Sequence, residues 1–145
     1  MNNFAMGYQD ENQMKVYNFL SEVGVCNSDV PYREALQCLK KYLSIRTDAN
    51  SFKLSFGQFA LAADDYILLD EKQMESIRKY LKKVRGCKLY VRSFPTLRFW
   101  KKELHCFAEP GQILWEMSSI TGEMAPMIAQ EVSNMLNVPL RVLWV

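Results

Sequence analysis

His105 and Cys106 are neighbours whose types suit covalent catalysis, with a thiolate to attack and an imidazole to take its proton. Nucleophile and base meet through the fold, however, and sequence neighbours rarely form such a pair. The four cysteines, Cys26, Cys38, Cys87 and Cys106, are scattered without a CxxC pair, and His105 is the only histidine that could complete a zinc site. They read as small apolar residues in a reducing compartment. The acidic pairs Asp64 with Asp65 and Asp70 with Glu71 fit a turn and a helix cap better than paired catalytic carboxylates. The chain carries no phosphate-cradling glycine loop and no nucleophile elbow. The expectation is a protein that is not an enzyme and uses no cofactor or metal.

Charge is more informative. The net charge is +2, but residues 78–102 hold ten basic residues and no acid, leaving eight basic and sixteen acidic residues elsewhere, or +10 against −8. The ten are Arg78, Lys79, Lys82, Lys83, Arg85, Lys88, Arg92, Arg98, Lys101 and Lys102, interleaved with Tyr80, Tyr90, Phe94, Phe99 and Trp100. Cations neutralise phosphates, and aromatic or guanidinium planes stack on unpaired bases, so the block suits a polyanion such as RNA. A solvated helix face followed by a core strand explains the same residues equally well.

With 145 residues, 49% apolar and 23% charged, the chain has material for one real core. Apolar runs such as Ile67–Leu69 and Val142–Val145 fall far below the roughly 20 residues that span a bilayer. No basic residue precedes Lys15, while Asp10 and Glu11 are already present. The start therefore reads neither as a secretory signal nor as an Arg-rich transit peptide, and any targeting segment is either removed or not needed.

The elements that must hold the basic block follow from periodicity. Met14, Tyr17, Leu20 and Val23 predict a helix over 10–23, and Tyr32, Leu36, Leu39 and Leu43 a second over 30–44. At Phe52 the period becomes two, which predicts a strand running on to Leu61, with Gly57 marking a bulge or a close backbone approach. Asp70 and Gln73 form a capping box for a helix with the apolar stripe Met74, Ile77, Leu81 and Val84, ending at Gly86. Cys87, Leu89 and Val91 then alternate with Lys88, Tyr90 and Arg92 in a half-buried strand, so that helix and strand would share one basic surface. Residues 96–107 fit helix or strand. A turn at Glu109–Gly111, a strand at Gln112–Met117, an N-cap at Thr121 and a strand at Leu140–Val145 complete an α+β pattern. The last helix would bury Met124, Met127, Ile128, Val132, Met135 and Leu136.

Three ordered segments resemble the bacterial large-subunit ribosomal protein family numbered sixteen, L-sixteen. In LSFGQFAL the matching residues are Ser55, Phe56, Gly57 and Phe59. In GCKLYVRSFP they are Gly86, Lys88, Leu89, Tyr90, Val91, Arg92, Phe94 and Pro95, with Cys87 inserted. In PGQILWEM, the most specific of the three, they are Pro110, Gly111, Ile113, Leu114, Trp115, Glu116 and Met117, with Gln112 at a position usually basic. The resemblance implies a hammerhead-type mixed sheet with two packed helices over 51–145, and the two helices predicted before it make an N-terminal helical extension over 1–50. It also implies a structural constituent of the large ribosomal subunit, bound to rRNA near the A-site and P-site tRNA region beside neighbouring ribosomal proteins, with Lys88, Arg92 and the basic helix on rRNA phosphates.

Two departures qualify the resemblance. The family's basic N-terminal arm is replaced by a slightly acidic segment. Its long tRNA-reaching hairpin, with arginine, methionine and a glycine-lysine repeat, has no counterpart in residues 96–109. Proximity to tRNA without direct contact is therefore expected. Loss of basic extensions suggests a mitochondrial member, with a plastid or bacterial ribosome as the alternative. The rival readings are a free-standing RNA-binding regulator and a protein-interaction module that uses residues 78–102.

Overall fold

Strand alternation in this chain feeds two apolar layers. The structure, a computed structural model, describes residues 8–27 and 29–144, with backbone alone at 8–10. Helices α1 (Tyr8–Glu22) and α2 (Tyr32–Tyr42) come first, then a 3-10 turn (Ala49–Phe52), β1 (Phe59–Ala63), β2 (Ile67–Asp70), α3 (Glu71–Lys83) and β3 (Lys88–Val91). Strands β4 (Leu97–Arg98), β5 (Leu104–Ala108) and β6 (Ile113–Ser118), helix α4 (Met124–Leu136) and β7 (Leu140–Trp144) follow. The fold is α+β. The strands form two sheets, in the orders β3-β6-β1-β7 and β2-β5-β4, and every pairing described is antiparallel where one mixed sheet was expected.

The first layer lies between the sheets and two helices. Leu61, Trp115 and Met117 of the larger sheet meet Met74, Ile77 and Leu81 of α3 and Ile128, Ala129, Val132 and Leu136 of α4. In the smaller sheet Ile67, Leu69, Cys106 and Ala108 point into the same core. Their neighbours Leu68 and Phe107, paired across β2 and β5, point the other way and pack on Val16 and Leu20 of α1 and Ala35, Leu36 and Leu39 of α2. The first two helices thus cover the smaller sheet.

Polar links fix that arrangement. Asp70 and Gln73 form the expected capping box, and the buried Asn12 amide donates both to Gln73 Oε1 at 3.0 Å and to the Leu68 carbonyl at 2.9 Å. Lys40 on α2 pairs with Glu109 at 2.7 Å, which raises the lysine pKa.

Several expectations need correction. Residues 52–58 are not strand: β1 begins at Phe59, because the amides before it turn toward a buried side chain. Met14 is exposed, and the buried face of α1 is Asn12, Val16 and Leu20, a four-residue spacing in place of three. Met127 is 71% exposed, with Ala125 and Ala129 taking the inner positions of α4. Thr121 does not cap α4; its carbonyl accepts from Met124 N at 3.1 Å in a preceding turn, so Glu123 is the N-cap. Residues 96–107 resolve into β4, a tight turn and β5, and the turn forms because Lys101 and Lys102 both adopt left-handed backbone angles. Among the described residues no helix is long and apolar enough to cross a membrane.

Candidate nucleic-acid interface

Three segments far apart in sequence converge on the outer face of the larger sheet, opposite α3 and α4. Tyr90 pairs with Glu116 across β3 and β6, and Ala60 of β1 pairs with Glu116 from the other side. Glu116 is fully buried. Its carboxylate accepts the backbone N–H of Phe56 at 2.8 Å, Gly57 at 2.8 Å and Ser55 at 3.1 Å, and pairs with the Arg92 guanidinium. Arg92 also donates to the carbonyls of Lys53 at 3.1 Å and Asn50 at 2.8 Å. Burial pushes the Glu116 pKa up, but the three amides and Arg92 outweigh it and hold the carboxyl below its ordinary range.

Gly57 is the steric condition for this cradle. A Cβ there would lie 2.7 Å from the Met117 carbonyl oxygen and 2.8 Å from its nitrogen, so only glycine lets the loop press against β6. Leu54 closes the gap by packing on Ala60, Ala62 and Ile113. Phe56 is left 63% exposed, with its ring stacked on Tyr90 at 5.7 Å between centroids and 22° between planes. Lys88 Nζ lies 5.5 Å from the Tyr90 centroid, and the Arg92 guanidinium 5.9 Å from that of Phe56.

The ten predicted cations do not share one surface. Leu89 and Val91 face the α3 core, so Lys88, Tyr90 and Arg92 point to the opposite face. Lys79, Lys82, Lys83 and Arg85 are exposed on and just after α3, while Arg78 is paired with Glu75. The helix and strand cations therefore flank the β3 edge from its two sides. Arg98 ends β4 and Lys101 and Lys102 lie in the turn after it, where Arg98 Nη1 donates to the Lys102 carbonyl at 2.8 Å and Lys101 Nζ lies 5.5 Å from the Trp100 ring centre. Arg92, with a side chain 14% exposed, is turned inward to Glu116.

The other family-motif residues hold the scaffold. Trp115 is fully buried, and Phe59 packs edge-on against Trp144 at 4.8 Å. Pro110 and Gly111 make the turn into β6, with Gly111 at φ +88° and its N–H donating to the Ala63 carbonyl at 2.7 Å. Phe94 is exposed, and Pro95 is half-buried after β3. His105 and Cys106 alternate on β5, so their side chains lie on opposite faces. Burial pushes the Cys106 thiol up to about 12, leaving it protonated and unreactive. Among the described residues no cluster of three or more His, Cys, Asp or Glu could hold a metal.

The function of Glu116 as organiser was missed from sequence, where it was only a motif position. The available signal was a single carboxylate inside the apolar run Ile113–Met117, since a buried charge demands partners.

The chain matches no protein-family model. It is 34% identical over 89 residues to the large ribosomal subunit protein uL16 of Thioalkalivibrio sulfidiphilus (strain HL-EbGR7), a match that takes in 50% of this chain and 65% of that relative. Slightly less than two thirds of the relative's length is thus covered. The segments that resemble L-sixteen are the ones that build the Glu116 cradle, and over half of its length the chain is similar to that uL16 protein.

Proposed function

We propose that this protein is a structural constituent of a large ribosomal subunit that binds rRNA through cations on both sides of the β3 edge. The observation that carries the reading is the convergence of Ser55, Phe56, Gly57, Arg92 and Glu116 in one network, together with the likeness to uL16. Exposed lysines at 79, 82, 83 and 88 meet phosphates and position the protein without reading sequence. Arg92 acts from inside, holding the 50–57 loop. Residues 1–50 are the extension, whose helices α1 and α2 cover the smaller sheet and face neighbouring ribosomal proteins, and residues 51–145 are the rRNA-binding domain. The protein sits near the A-site and P-site tRNA region without touching tRNA itself, because the 96–109 stretch is a short β4–β5 hairpin. A mitochondrial ribosome is the preferred setting, motivated by the low net charge.

Sucrose-gradient sedimentation of tagged full-length protein tests this. Co-migration with large subunits at moderate salt is expected, and recovery only in the top fractions would overturn it. Parallel gradients from mitochondrial and cytosolic fractions decide the compartment.

A further inference from the structure

Phe56 is exposed yet held fast. An exposed phenylalanine on a loose loop would mean little, because much of any protein surface is apolar. Here the backbone on both sides of it is fixed by three N–H donors to one buried carboxylate, and Gly57 is pressed against the Met117 backbone. The ring lies nearly parallel to Tyr90, with the Arg92 guanidinium over the Phe56 ring and Lys88 Nζ over that of Tyr90. The carboxylate beneath, Glu116, is neutralised by Arg92. The result is a fixed aromatic pair with one unneutralised cation, the exposed Lys88, against it.

We propose that the Phe56–Tyr90 pair is a stacking platform for an unpaired RNA base, a role that rests on the rRNA-binding reading above. A nucleobase offers a flat π face to the exposed ring, and stacking tolerates any base. The phosphates on either side of that base carry the charge that Lys53 and Lys88, both exposed, complement. A protein partner would need an acidic side chain placed by chance beside its aromatic one, whereas a nucleotide strand carries an anion on both sides of every base. A fully paired helix hides its base faces, so the platform selects loops, bulges and single strands.

The test uses the full chain with an oligoadenylate of about ten nucleotides carrying a central 2-aminopurine, and a blunt RNA duplex of equal length. The wild type binds the single strand and quenches the 2-aminopurine. Phe56→Ala weakens that binding about 10-fold, removes the quenching, and leaves duplex affinity and the salt slope unchanged. Phe56→Trp keeps binding and quenching, whereas Phe56→Leu, apolar but not flat, behaves like the alanine variant. Wild-type binding and quenching by Phe56→Ala, or recovery by Phe56→Leu, overturns the platform alone. Loss of retention on large subunits by Phe56→Ala with unchanged oligonucleotide binding overturns it in favour of a protein contact. Failure of the wild type to bind either RNA, with no co-sedimentation, overturns the rRNA reading as well.

Discussion

Arg92, the residue that follows edge strand β3, closes its guanidinium on Glu116, a carboxylate buried beneath the 55–57 loop. A buried ion pair adds little net stability over apolar packing, because both charges must leave water. Its effect here is placement: one carboxylate fixes a loop, and one guanidinium fixes that carboxylate.

Removing one partner should therefore cost far more than removing both. Glu116→Gln leaves the Arg92 charge without an anionic partner and turns an NH2 toward amide donors, and a loss of about 3–5 kcal/mol in urea unfolding is expected. The pair Arg92→Met with Glu116→Leu should recover part of the loss. An unchanged midpoint for Glu116→Gln would show that the cradle does not hold in solution.

Gly57→Ala places a methyl against the Met117 backbone, which cannot swing aside as a side-chain end could. A loss of about 1–3 kcal/mol is expected from thermal or urea unfolding, with the loop displaced. Equal stability of the alanine variant would show that the loop stands off β6.

Acid should loosen the fold in two stages. Burial holds the His105 pKa below its ordinary value, so the unfolded chain takes up a proton first as the pH falls through about 6.5. The Glu116 and Glu109 carboxyls are held low by their partners, against burial. Their contribution is present above the unfolded carboxyl pKa of about 4.3 and is lost as the pH drops through the depressed folded values. Urea midpoints followed from about pH 8 to about pH 3 should decline gently near 6.5 and steeply below about 4.5. With Glu116→Gln the steep part should shrink.

The α1–α2 layer should unfold together with the sheets. Leu36 and Leu39 share a buried cluster with Leu68 and Phe107. Leu36→Ala should cost about 2–5 kcal/mol in a single transition. Two transitions, with amides of residues 11–43 exchanging first, would show instead that the extension opens alone.

Charge removal should sort the basic residues by place. Glutamine at Lys79, Lys82, Lys83 or Lys88 should lower the salt slope of RNA binding by about one for each phosphate that is no longer neutralised, without changing stability. Arg92→Gln should instead lower stability. The opposite pattern would put the phosphate-binding face elsewhere.

Much of this fold was written in local signals. The Asp70–Gln73 capping box, the Met74–Leu81 stripe and the alternation at Leu89 and Val91 each rest on a few adjacent residues, and each holds. Phe52–Gly57 reads as a strand because its residues alternate, yet its amides turn to Glu116, a residue far along the chain, and no local rule reports that. Met14 and Met127 misled because methionine signals apolar character without stating which way the helix faces. The basic block was legible as composition but not as a surface: whether Lys88 joins the α3 lysines depends on which face of β3 turns inward, and that is a property of the sheet.

The Glu116 cradle also governs how the 55–57 segment lets go. A strand bonded rung by rung can fray from one end, releasing one amide at a time. Here three successive amides depend on one carboxylate, so a single rotation of that side chain frees all of them together. The three amides of the segment therefore share one fate, while Leu54 and the Arg92 bonds to the Asn50 and Lys53 carbonyls hold the chain just before it.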